Sequence, residues 1–211
     1  HELKTPLKSI IGRAELIENG IVRPDDLKNF GLKIRTEGQA LLNMINDIMF
    51  LSKVESGVKA QKEQINIKTL VDSVADSLKD KAKKKQVSIQ VNCTEASFLF
   101  VRRYMSEILY NLIDNGIKYN KEGGNVECNI STNNQNLYIS IKDNGIGIPS
   151  EDLGRIFERF FCVDRSHSNK DSTGLGLTIV KHIIEECNGH INVDSKLNVG
   201  TTFSITLPIE Q

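Results

Sequence analysis

Glu107-Ile108-Leu109-Tyr110-Asn111-Leu112-Ile113-Asp114-Asn115-Gly116-Ile117-Lys118-Tyr119 carries two patterns at once. Leu109, Leu112 and Ile113 recur at helical spacing and mark a side that a core would cover. Glu107, Asn111, Asn115 and Lys118 follow at steps of four, four and three and form a second stripe beside it. Uncharged amides next to an apolar face are costly unless partnered. A Mg²⁺ ion and phosphate oxygens are partners that fit, and Tyr119 is placed to lie against a purine. A solvated helix face is the plainer alternative, weakened by how close the stripe runs to the apolar side.

Outward from this helix, from about Val58, the chain alternates helix and strand. Ile67 to Lys84 and Leu175 to Cys187 read as helices, and Val101 to Ile117 as the helix just described. Val87, Ile89, Val91 and Cys93 alternate as a strand. Val126, Cys128 and Ile130, then Leu137, Ile139 and Ile141, form two strands joined through the turn-rich stretch 132–135. Ile191 and Val193, then Phe203, Ile205 and Leu207, close as a hairpin across Asn198 to Gly200. Strands on short turns with interspersed helices predict an α/β sandwich, a mixed sheet covered on one face by helices. Ser150 to Thr173 is the least regular long segment, and such a segment inside a compact domain is usually functional.

The N-terminal part reads as two helices. Leu3, Leu7, Ile10, Ala14, Ile17 and Ile21 recur on the first. Gly20 and Arg23-Pro24-Asp25-Asp26 make a turn with a fresh N-cap. Leu27, Ile34, Leu41 and Ile48 on the second are each seven apart, a heptad seam that Glu37 interrupts at its second position. Two helices cannot bury such stripes alone. A homodimeric four-helix bundle solves the problem, and packing against the rest of the chain is the alternative. The expected class is therefore α+β: a helical hairpin over residues 1–57, then the sandwich domain over 58–211, with a hinge at Ser56-Gly57.

Composition bounds the partners. The 211 residues hold 27 Lys plus Arg and 27 Asp plus Glu, a net charge of +0, which argues against a protein held to nucleic acid by bulk charge. The run Lys83-Lys84-Lys85 reads as a solvated helix end. Cys93, Cys128, Cys162 and Cys187 form no CxxC pair and no zinc spacing, so free thiols are expected. No apolar run is long enough to span a bilayer. The chain opens without Met on a helical pattern already under way, which reads as a fragment of something longer.

Three short stretches carry chemistry. In His1-Glu2-Leu3-Lys4-Thr5-Pro6, His1 points away from Leu3 and Leu7, with Thr5 one turn along on the same side. An exposed neutral imidazole is a competent nucleophile near pH 7, Glu2 can take the proton released, and Pro6 can bend the helix. A surface histidine at a frayed helix end is the alternative. Asp143-Asn144-Gly145-Ile146-Gly147-Ile148-Pro149 follows a strand, lets the backbone approach a ligand, and offers Asp143 to an adenine amino group; alone it is equally a turn. Ser172-Thr173-Gly174-Leu175-Gly176-Leu177 opens a helix, whose N-terminal N–H groups favour phosphate.

Taken in order, these elements resemble the sensor histidine kinases of two-component systems, with phosphoacceptor helices and a GHKL-type ATP-binding domain. The likeness covers essentially the whole chain. His1 to Leu7 resembles the phosphoacceptor box, Asn111 to Tyr119 the Asn box, and Asp143 to Pro149 the first glycine box. Ile156-Phe157-Glu158-Arg159-Phe160-Phe161 resembles the phenylalanine box, and Gly174 to Leu177 the second glycine box.

The resemblance implies roles. His1 is phosphorylated with Glu2 as acid/base partner, and Thr5 positions water when the phosphorylated regulator is hydrolysed. Asn111 binds Mg²⁺ with Glu107 ordering water nearby. Asn115, Lys118 and Tyr119 contact phosphates and nucleotide; Asp143, Gly145 and Gly147 hold adenine; Thr173, Gly174, Leu175, Gly176 and Leu177 lie at the phosphates. Many relatives place an Arg where this chain has Cys162, and Arg159 or Arg165 is the expected substitute. The implied cofactors are ATP and Mg²⁺. The implied partners are a response-regulator receiver domain and a second copy through the N-terminal helices, with no nucleic acid. A cytoplasmic portion of a membrane-anchored parent is expected. A topoisomerase- or chaperone-like ATPase clamp and a non-catalytic scaffold are competing readings. The box at His1 weighs against the first, and the intact Asn and Gly positions against the second.

Overall fold

The computed structural model describes residues 2–57, 60–133, 135–163 and 173–210. Helix α1 (Lys4–Glu18) and the long helix α2 (Leu27–Glu55) form a hairpin, joined through a short 3₁₀ turn at Pro24–Asp26. Asp26 makes no side-chain cap, contrary to the sequence expectation; Pro24 sets the start of the turn instead. Glu37, which interrupts the predicted seam, has its reason in the hairpin: it pairs with Arg13 of α1 at 2.6 Å. Ile34, Leu41 and Ile48 are half-buried, while Leu27 is exposed. Helix α2 is capped at Ser56, and Gly57 takes the left-handed backbone (φ 61°) that stops it.

The second domain is built from β1 (Glu63–Asn66), α3 (Ile67–Lys84), β2 (Ser88–Cys93), β3 (Ser97–Phe100), α4 (Arg102–Lys118), β4 (Asn125–Thr132), β5 (Asn136–Asp143), α5 (Gly176–Glu186), β6 (His190–Lys196) and β7 (Gly200–Pro208). The side chain of Asn66 accepts from Thr69 N and caps α3. Lys81, Lys83 and Lys84 close that helix at the negative end of its dipole. Five strands form one sheet in the order β2-β4-β5-β7-β6, in which β2 and β4 are parallel and the other pairs antiparallel. The small β1-β3 sheet is a finding the sequence reading did not foresee. Each of its strands is only four residues, too short for alternation to stand out from a loop.

Register explains why one face of the large sheet is covered. Val91, Cys128, Ile141, Phe203 and Val193 are successive cross-strand partners, so an apolar row crosses all five strands. Met105, Ile108, Leu109, Leu112 and Ile113 of α4, with Ile179, Val180 and Ile183 of α5, are buried in the same core. Helix α4 is thereby pinned by its apolar side, and its Asn stripe is left at the core's rim. Burial pushes the Cys128 thiol up to about 12 and the Cys187 thiol to about 11, so both stay protonated at neutral pH.

Candidate functional site

The last residue of β5, the C-terminal half of α4 and the start of α5 converge on one concavity. Its larger part, about 410 Å³, is bordered by Asn115, Lys118, Tyr119, Asp143, Gly147 and Phe203, among others. That is within the range of small-molecule sites, roughly 300–1,000 Å³. A smaller part of about 110 Å³ is bordered by Asn111, Thr173, Gly174 and Gly176. Asn115, Lys118, Tyr119, Cys162 and Leu177 border both, so the two are continuous.

At the first end, Asp143 Oδ1 accepts the Gly145 N–H at 2.8 Å, which folds the turn after β5. Burial raises the Asp143 carboxyl above its ordinary range, against the bonds from the Gly145 and Thr201 backbones. Gly147 takes a left-handed backbone (φ 69°), and a Cβ there would stand 2.1 Å from the Lys196 carbonyl oxygen. Only glycine lets the turn pass this close to the β6–β7 hairpin. Gly145 supports the turn without bordering the cavity.

At the second end, Asn111 Nδ2 donates to the Glu107 carbonyl at 2.9 Å. A Cβ on Gly176 would lie 2.4 Å from Asn111 Oδ1, so the start of α5 lies directly against this amide because it has no side chain. Burial raises the Glu107 carboxyl, opposed by Arg103. Leu175 is buried in the core, which leaves only its backbone for a ligand. Lys118 Nζ sits 4.9 Å from the centre of the Tyr119 ring. Among the described residues no three His, Cys, Asp or Glu side chains come together. A Mg²⁺ ion here would therefore lean on Asn111 and substrate phosphates, which matches that ion's habits.

Other sequence candidates lie elsewhere. His1 and Arg165 fall outside the described residues. Glu2 lies in the turn before α1 and Thr5 in the first turn of that helix, Thr5 exposed. Arg159 borders neither part of the cavity and is hydrogen-bonded to Glu55 of α2. Thr173 Oγ1 donates to Asp47 Oδ2 of α2 at 3.0 Å. Between those contacts Phe50, Leu51 and Val54 are buried, with Phe50 edge-on to Tyr104 at 6.1 Å and under the Arg103 guanidinium at 4.2 Å. His182 Nε2 lies 3.3 Å from Glu55. Asp47, Phe50, Leu51, Val54 and Glu55 thus form one helical stripe that docks α2 on the second domain, a role that sequence reasoning missed. The i, i+3, i+4, i+7, i+8 spacing was its available signal.

Comparison with known proteins places these features in a lineage. Residues 1–57 match the model of the His Kinase A (phospho-acceptor) domain. Residues 100–211 match that of the histidine kinase-, DNA gyrase B- and HSP90-like ATPases. The chain belongs to the sensor histidine kinases. Sensor protein SrrB of Staphylococcus aureus is 35% identical over 99% of this chain, which spans 36% of that relative's length. The Acinetobacter baumannii histidine kinase AdeS superposes with a TM-score of 0.83 at 27% identity, covering 100% of this chain and 98% of that one. Full-length ShkA, solved in complex with AMPPNP, superposes with a TM-score of 0.76 at 25% identity over 100% of this chain and 44% of its own. The histidine kinase core is thus a phosphoacceptor hairpin followed by an α/β ATPase domain. Among its described residues no helix is long and apolar enough to cross a membrane.

Proposed function

We propose that this chain binds ATP in the cavity between α4, the β5 turn and α5, phosphorylates its own His1, and passes the phosphoryl group to an aspartate of a response-regulator receiver domain. The observation that carries the reading is the convergence of Asn115, Lys118, Tyr119, Asp143 and Gly147 around one continuous concavity. Asp143 accepts the adenine amino group, and Gly147 lets the base approach. Asn115 and Lys118 hold phosphate oxygens, with Thr173, Gly174 and Gly176 at the far end. Asn111 would hold Mg²⁺, with Glu107 ordering water nearby, and the ion would supply positive charge against the phosphates.

In the chemical step a ring nitrogen of His1 forms an N–P bond as the bond from the γ-phosphorus to ADP breaks, and Glu2 takes the ring proton. Thr5 positions water for hydrolysis of the phosphorylated regulator. Residues 1–57 pair with a second copy, and residues 58–211 swing about Ser56-Gly57 to reach His1. That swing breaks the α2 docking, which holds Thr173 and Arg159 to Asp47 and Glu55. Arg159, once freed, is one candidate for the guanidinium at the γ-phosphate, and Arg165 the other. The parent is membrane-anchored with this part in the cytoplasm.

Incubation with γ-labelled ATP tests the core claim. The wild type is expected to acquire acid-labile, base-stable label, and His1→Gln to lose the label while still binding nucleotide. An unlabelled wild-type dimer at millimolar Mg²⁺ overturns the kinase reading.

A further inference from the structure

Lys85 belongs to no motif, and its neighbours Lys83 and Lys84 are exposed. Lys85 itself is half-buried and borders the cavity beside Lys118, Tyr119 and Asp143. The chain around it is pinned. The N–H of Lys85 donates to Ala82 O at 3.1 Å, that of Val87 donates to Ala82 O at 2.9 Å, and the Gln86 carbonyl accepts from Gly123 N at 3.0 Å. Gln86 takes a left-handed backbone (φ 56°), and Val87 is buried. The lysine side chain therefore leaves a fixed turn, and its ammonium donates to the Lys118 carbonyl at the C-terminus of α4.

Capping that helix end uses one of the three N–H donors of the ammonium. Burial and the neighbouring Lys118 charge push its pKa down. Among the described residues no carboxylate pairs with Lys85 or Lys118. Two like charges beside one cavity repel, and an anion between them would offset that cost. Lys85 borders only the end with Asp143, whereas Lys118 borders both ends. A nucleotide with its base at Asp143 and its terminal phosphates toward Gly176 brings its first phosphate to the junction.

We propose that Lys85 is a nucleotide-binding residue that holds an oxygen of the α-phosphate jointly with Lys118. The proposal rests on the adenine-nucleotide reading above. Its test is calorimetric titration of the 211-residue chain with adenosine, AMP and ADP, without Mg²⁺, for the wild type, Lys85→Met and Lys85→Arg. Lys85→Met is expected to weaken AMP and ADP about tenfold, the scale of one hydrogen bond to a charged group. Adenosine should stay within about twofold, and Lys85→Arg should restore most of the loss. A parallel fall for adenosine and AMP overturns the proposal and leaves Lys85 as a helix cap alone. Unchanged affinity for all three overturns it too. If the wild type binds no adenine nucleotide, the kinase reading falls and the proposal with it.

Discussion

Asp143 shows how one buried carboxyl couples function to stability. Its raised pKa means that the folded chain binds more protons than the unfolded chain between the two pKa values. Stability from this group therefore falls as pH rises through that window, and the full cost is present above it. Asp143→Asn removes the cost. Its thermal midpoint is expected to exceed that of the wild type at neutral pH, with the gap closing toward acid. ATP affinity should fall about tenfold, since a charged acceptor for the adenine amino group is lost. A variant no more stable than the wild type at pH 7 would show that desolvation of Asp143 is not the dominant cost. Asp143 and Gly147 were legible in the sequence because a strand followed by closely spaced glycines is local. Lys85 was not, because its nearness to Lys118 across 33 residues is made by the α3–β2 turn.

At the scale of elements, the last two turns of α2 present an apolar stripe with an acid at each end. The Glu55–Arg159 pair is half-exposed, and such pairs contribute about 0–1 kcal/mol. Burial of Phe50 contributes more, since a Phe→Ala change in a core costs about 3–5 kcal/mol. Phe50→Ala should therefore release α2 from the second domain far more than Glu55→Gln does. Hydrogen exchange reads this directly: Phe50→Ala should speed exchange over Met44 to Glu55 while leaving β4 and β5 protected. Equal effects from the two variants would mean that the ion pair, not the apolar stripe, holds the docking. The helix bounds of α3 were legible because apolar spacing is local. The β1–β3 pairing was not, because its partners are brought together only by the tertiary fold.

On the scale of the whole molecule, the hairpin leaves an unmatched apolar surface. Leu7 is 46% exposed, Ile11 47% and Met49 55%, with Leu42 and Ile45 also open. Leu3, Leu7 and Ile11 lie on one stripe of α1, and Leu42, Ile45 and Met49 on one stripe of α2. A second copy would cover both. The chain is expected to sediment as a dimer at micromolar concentration, and Ile11→Glu as a monomer that still binds ATP. A wild-type monomer under those conditions would defeat the four-helix bundle. The heptad Leu27, Ile34, Leu41 and Ile48 announced that the hairpin is sticky, but three of its members are half-buried and a neighbouring stripe stays open. Taken by itself, the sequence determined the division into a helical hairpin and an α/β domain, the bounds of α3 and the glycine turns, because periodicity and turn chemistry act over a few residues. Only the tertiary structure decided which stripe faces out, that α2 docks through Asp47 and Glu55, and that Lys85 reaches the cavity. Those outcomes depend on contacts between residues distant in sequence, and a local pattern can at most mark a sticky stripe without naming what covers it.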